Sequence, residues 1–180
     1  YRAIEFGGEY VAFLTHKGYP NPIIRIETKT GDLVYMTLFD GVQEGVFSLI
    51  DRAQELSKQA TNIVDCYRGL IVPMADINQM VDIDWILGMD AINSNSDPVI
   101  IKEAYQQSKF RMNEVGARAQ SAVVLVCVSG LDIFADTVLP MYIVNRPFLL
   151  WIERPGLCKP LFVAHITEED WKIPKDLRNV

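Results

Sequence analysis

Tyr142-Ile143-Val144-Asn145-Arg146-Pro147-Phe148-Leu149-Leu150-Trp151-Ile152 is the stretch on which the fold assignment turns. It reads as two apolar strands, over 139–144 and 147–152, separated by a short polar break at Asn145 and Arg146. Arg154-Pro155-Gly156 is turn material, and a further strand is expected over 161–166. The charged tail from Thr167 is expected to fray.

Working toward the N-terminus, strands remain in the majority. A short apolar run over 10–14 ends at His16, Lys17 and Gly18, and Tyr19-Pro20-Asn21-Pro22 is a turn. Strands over 22–28 and 33–39 flank Thr30-Gly31-Asp32 and form a β-hairpin. The second is apolar almost throughout, as in a strand covered on both faces. The spacing of Val46, Leu49, Ile50, Ala53 and Leu56 predicts a helix over 45–59, with Asp51, Arg52, Glu55 and Lys58 on its other side. Residues 69–77 read as one strand interrupted by Pro73. Residues 82–87 read as a short helix, with Asp82 and Asp84 at its start and Gly88 at its C-cap. Asn93 to Asp97 is a polar turn. Periodicity does not decide between helix and strand over 99–114. Many strands, few helices and no βαβ alternation indicate an α+β, mainly antiparallel domain.

The chain has 180 residues, 49% hydrophobic and 22% charged, with a formal net charge of −6. That balance excludes a disordered chain. The acidic charge, with no Lys/Arg cluster, excludes a nucleic-acid partner. The longest strongly apolar run, around 122–131, falls short of the roughly 20 residues of a transmembrane helix. Cys66, Cys127 and Cys158 make neither a disulfide framework nor a CxxC pair. No glycine-rich phosphate loop, GxGxxG or GxSxG elbow is present. Neither histidine, His16 or His165, stands near a Cys or carboxylate in zinc or nucleophile–base spacing. An enzyme is not expected, and no catalytic residue, metal or cofactor is assigned.

The opening stretch resembles the C-terminal signature of the serpin family: an apolar strand, Asn or Asp, a basic residue, Pro-Phe, and a second apolar strand. Asn145, Arg146, Pro147 and Phe148 carry it. Other features follow in the family's order. Leu70 to Ile77 is similar to the strand before the family's LGM motif, which Ile86-Leu87-Gly88-Met89 supplies. Glu114-Val115-Gly116-Ala117-Arg118-Ala119-Gln120-Ser121 resembles the serpin hinge. Lys159-Pro160-Leu161-Phe162-Val163 resembles the final strand. The resemblance spans 10–166 and corresponds to the C-terminal half of a serpin.

The resemblance implies that 99–114 is a long strand of the main sheet, leading into an exposed reactive-centre-like loop over 117–139. Glu114, Gly116, Ala117, Ala119 and Ser121 would be its hinge. Strand alternation would turn Ala117, Ala119 and Ser121 inward on insertion and place Arg118 and Gln120 outward, so no charge enters the core. An ordinary small-residue strand has the same alternation. Counting from the hinge places the scissile residue near Gly130, and counting back from Phe148 places it near Asp136. Asp136 would suit granzyme B or a caspase, as in some viral serpins, or be a loop aspartate without that role. Leu131 or Phe134 would suit a chymotrypsin-like protease.

Three departures from the family stand out. Gln106 occupies a position usually held by histidine, Phe162-Val163-Ala164-His165 replaces Phe-x-Gly-basic, and the loop is several residues longer. About half a serpin lacks the strands between which a cleaved loop inserts. The expectation is therefore one truncated serpin-like domain over 1–180, peripheral at 1–9 and 167–180. By itself it would be non-inhibitory and act by binding a protein partner, as a host-interaction factor by analogy with shortened viral serpins. A protease or host immune protein would be that partner, and a homodimer through exposed strand edges is a further form. The alternative is a suicide-substrate protease inhibitor, given the other half. No secretory signal is visible, and a secreted location rests on the resemblance alone.

Overall fold

The structure, a computed structural model, describes residues 2–41, 47–63, 66–92, 94, 97–113, 116–118 and 139–174. In chain order the elements are β1 (Ala3–Gly7), β2 (Val11–Thr15), β3 (Ile23–Glu27), β4 (Leu33–Leu38), α1 (Ser48–Gln59), β5 (Asn62–Ile63), β6 (Gly69–Pro73) and β7 (Ala75–Asp82). There follow β8 (Asp90–Ile92), β9 (Pro98–Ile100), β10 (Tyr105–Asn113), β11 (Gly116–Arg118), β12 (Met141–Ile143), β13 (Phe148–Glu153) and β14 (Phe162–Ile166). The architecture is α+β and mainly antiparallel, as expected.

The largest sheet runs β14-β13-β4-β3-β2-β5. Second from one edge lies β13, paired antiparallel with β4 on its inner side and with the edge strand β14 on the other. Phe148, Leu149, Leu150 and Trp151 are all fully buried, so both faces of this strand are covered. Alternation splits them between two cores. Phe148, Leu150 and Ile152 join Phe13, Ile24, Met36 and Phe110 in one. Leu149 and Trp151 join Leu14, Ile23 and Tyr35 in the other, closed by Ala53 and Leu56 of α1. Tyr35 stacks on Trp151 with ring centroids 5.2 Å apart. The Trp151 indole N–H donates to Ser57 Oγ at 2.8 Å, and Ser57 donates to Glu153 at 2.5 Å. A buried indole donor is thus satisfied from the helix.

The β3–β4 hairpin forms as expected. Gly31 has φ +80, the Thr28 hydroxyl accepts the Asp32 N–H at 2.9 Å, and Asp32 is 1% exposed. Arg154, in the turn after β13, grips that carboxylate with two nitrogens at 2.7 and 3.0 Å. The second sheet, β1-β6-β12, covers the first core from the far side. Gly69 opens β6 where β1 passes so close that a Cβ would run into the Phe6 carbonyl. The third sheet is β11-β10-β7, and β8 pairs with β9.

Several expectations are corrected. The strand read over 69–77 is two strands in two sheets, divided at Met74 beside Pro73, which has no N–H to donate to a ladder. The short helix expected over 82–87 is a 3-10 turn, Asp84–Ile86. Asp82 is taken up by pairing with Tyr105, leaving too few residues for more. The strand expected over 99–114 begins only at Tyr105, because β9 folds back on β8. Within the segment 1–9, expected to be peripheral, β1 buries Ile4 and Phe6 in the first core. The tail at Thr167 forms a capped turn, with Asp170 Oδ2 accepting the Thr167 N–H at 3.1 Å. The predicted start of α1 at 45 and Val46 lie outside the described residues.

Phe110 is fully buried and stacks on Phe162 with ring centroids 5.1 Å apart. Phe110→Ala leaves a cavity between β10 and β14 and is expected to destabilise the fold by about 3–5 kcal/mol. Urea denaturation followed by circular dichroism measures it.

Candidate functional site

The hinge-like segment grows directly out of β10. Phe110 and Met112 anchor that strand in the core, and Arg111 pairs with Asp76 of β7 at 3.1 Å. Beyond Asn113 the chain reverses into β11, with Asn113 opposite Gly116, Met112 opposite Ala117 and Arg111 opposite Arg118. Of the expected hinge residues, Gly116 and Ala117 are thus strand positions along β10, whereas Ala117 was expected to open the exposed loop. The physical reason is the edge of β10 away from β7, whose backbone donors and acceptors offer a ladder. Glu114, Ala119 and Ser121 lie outside the described residues. So do the four candidate scissile positions Gly130, Leu131, Phe134 and Asp136.

The signature residues form a joint between two sheets. Val144 N–H bonds Ile71 O at 2.9 Å and so ends the β12 pairing with β6. The Pro147 carbonyl accepts the Phe39 N–H at 2.9 Å, and Phe148 begins β13 fully buried. Proline suits this place because its carbonyl is used and it has no N–H to satisfy. Asn145 is exposed, and Arg146 reaches Asp40 at 2.7 Å with both side chains about half exposed, at 51% and 56%. Arg146, Pro147 and Phe148 thus hold the joint through an ion pair, a backbone bond and core burial.

Before the joint, Tyr142 packs edge-on to Tyr67 and Phe13, with centroids 5.0 and 5.9 Å away. Its hydroxyl is buried without a hydrogen-bond partner. Burial pushes the phenol from 10.0 up to about 12, with neighbouring Tyr67 adding to the rise.

The remaining sequence candidates are scattered. Ile86-Leu87-Gly88-Met89 forms a tight turn with φ +79 at Gly88, whose N–H bonds Ile101 O at 3.0 Å. Gln106 lies exposed opposite Val81. His16 is buried edge-on to Tyr19, and His165 Nε2 lies 3.0 Å from Phe39 O. Among the described residues no group of three His, Cys, Asp or Glu side chains is placed to hold a metal ion. No helix among them is long and apolar enough to cross a membrane. Sequence reading missed the Asp32–Arg154 pair, whose members are 122 residues apart. Asp32 beside Gly31 read only as a turn residue.

No family model and no curated protein matches the sequence. Solved structures do. Serpin48 of the insect Tenebrio molitor, described as a highly specific serpin, matches 91% of this chain at 16% identity with a TM-score of 0.53. Thyroxine-binding globulin in complex with thyroxine matches 92% at 12% identity with a TM-score of 0.54. This chain covers 45% and 44% of those two chains, less than half of each. At such identities the likeness is one of fold. The chain has a serpin-like fold, corresponding to the C-terminal half.

The stability of the joint can be apportioned. Arg146→Ala removes an exposed ion pair and is expected to cost no more than about 1 kcal/mol. Arg154→Ala leaves buried Asp32 without its cation and should lower the urea midpoint by clearly more. For Tyr142 the folded pKa lies above the unfolded one. Its contribution is therefore complete below pH 10.0 and lost as pH rises through about 12. Tyr142→Phe is expected to flatten the loss of stability across that window while leaving neutral-pH stability nearly unchanged, as read by urea melts at stepped pH.

Proposed function

We propose that this chain, taken by itself, is a serpin-like protein that does not trap proteases and acts by binding a partner protein. The supporting observation is the sheet that carries the hinge. Its order is β11-β10-β7, and among the described residues no strand lies beyond β11. A loop that inserts as a central strand needs a neighbour on each side, and among the described residues only β10 is available. The partner would engage exposed strand edges or the segment 117–139. Shortened viral serpins make a host protein the analogous partner.

One observation favours the alternative, a suicide-substrate inhibitor completed by another chain or segment. Gly116–Arg118 already pairs with β10 in the antiparallel sense that continued insertion would extend. Gel electrophoresis separates the two readings. After incubation with granzyme B, a caspase and trypsin- and chymotrypsin-like proteases, the partner-binding reading expects cleavage between Gly130 and Asp136 without an SDS-stable adduct or a gain in thermal stability. A covalent adduct would establish the inhibitory reading in its place.

A further inference from the structure

The ribbon formed by β7 and β10 extends past the core into a tip that the core does not use. Pairing continues to Asp82 opposite Tyr105, and Ile83 N–H then bonds Ala104 O at 2.9 Å. After the 3-10 turn, Gly88 and Met89 bond Ile101, and β8 and β9 close the end. Along this stretch Met80, Trp85, Met89, Ile92, Ile100 and Tyr105 are 50% to 78% exposed. Cross-strand register places Ile92 and Ile100 on one face and Val99 on the other. The patch also reaches Phe47 at the start of α1, whose ring lies edge-on to Trp85 at 6.5 Å. Scattered exposed apolar side chains are ordinary, but six large ones concentrated on one projecting ribbon mark a surface that gains by being covered.

Charge selects the occupant. Asp82, Asp84, Asp90 and Glu103 are exposed around these residues, and Lys102 is the lone cation from 80 to 105. A second copy of the tip would bring carboxylate against carboxylate, and an anionic lipid surface would be repelled in the same way. We propose that the tip is a docking surface for a protein partner that presents apolar side chains framed by Lys and Arg. This names the surface and the partner chemistry for the partner-binding reading above, and it rests on that reading.

The test uses the full chain and a dye-labelled synthetic amphipathic helix of Leu and Lys, with a Leu and Glu counterpart. Fluorescence anisotropy is expected to show binding of the Lys peptide that weakens as salt rises. Trp85→Ser with Ile92→Ser should weaken it about tenfold or more, and so should Asp84→Asn with Asp90→Asn and Glu103→Gln. Glu168→Gln with Glu169→Gln, in the exposed turn after β14, should leave it unchanged. All these positions are exposed, and unchanged urea midpoints verify that each variant folds. The proposal is overturned if the Lys peptide does not bind, if both peptides bind alike, or if the tip variants bind as the parent does. A tip-dependent dimer in light scattering, or tip-dependent binding to anionic vesicles, overturns it as well. A protease adduct would sink the partner-binding reading whatever the tip titration shows, so the two failures are distinguishable.

Discussion

The structure depends on one strand being buried on both faces. β13 places Phe148 and Leu150 in one core and Leu149 and Trp151 in the other, with no solvent side for relief. Each face must then be covered, by α1 on one side and by the sheet β1-β6-β12 with the lower ends of β7 and β10 on the other. The indole N–H of Trp151 could not be buried unpaired without a cost of about 1–3 kcal/mol, and Ser57 of α1 meets it. The same bond orients the helix over the sheet, so a polar requirement inside the core helps set the packing of an apolar face.

The signature stretch is, in this light, a connector. It ends the short parallel pairing of β12 with β6, turns through an exposed Asn-Arg pair, and delivers Phe148 to its place between β4 and β14 in the large sheet. The ion pair of buried Asp32 with half-exposed Arg154 closes the other end of β13 against the β3–β4 hairpin. Between these two fastenings the strand has one register available, because a slip of one residue would exchange its two cores.

Much of this was legible in the residues. The almost wholly apolar run at 33–39 announced a doubly covered strand, the run at 147–152 announced a second apolar strand, Thr-Gly-Asp announced a hairpin, and Ala53 and Leu56 announced the buried side of α1. Those signals are local. The division at Met74 was not legible, because Val72, Met74, Ala75 and Ile77 are all buried and read as one run although they serve two sheets. Nor was the β8–β9 tip, since its strands are three residues each and carry no alternation long enough to register. The Asp32–Arg154 contact joins residues far apart in the chain, which no spacing rule reaches. Of the candidate site, the position of the joint was legible from Asn145 to Phe148. That Gly116 and Ala117 pair along β10 was not, because pairing depends on a free edge elsewhere in the fold.

The single residue between β6 and β7 has a mechanical consequence. Met74 is all that separates a strand of the sheet β1-β6-β12 from a strand of the projecting ribbon, and its N–H is bonded to Arg2 O at 3.0 Å. A load applied to the ribbon passes straight into β6. There it meets the antiparallel bonds to β1 and the parallel bonds to β12, which share it in shear and do not open one after another. The ribbon is therefore a lever whose fulcrum lies beside Arg2, and its short arm is the strand against which the chain begins its turn toward β13.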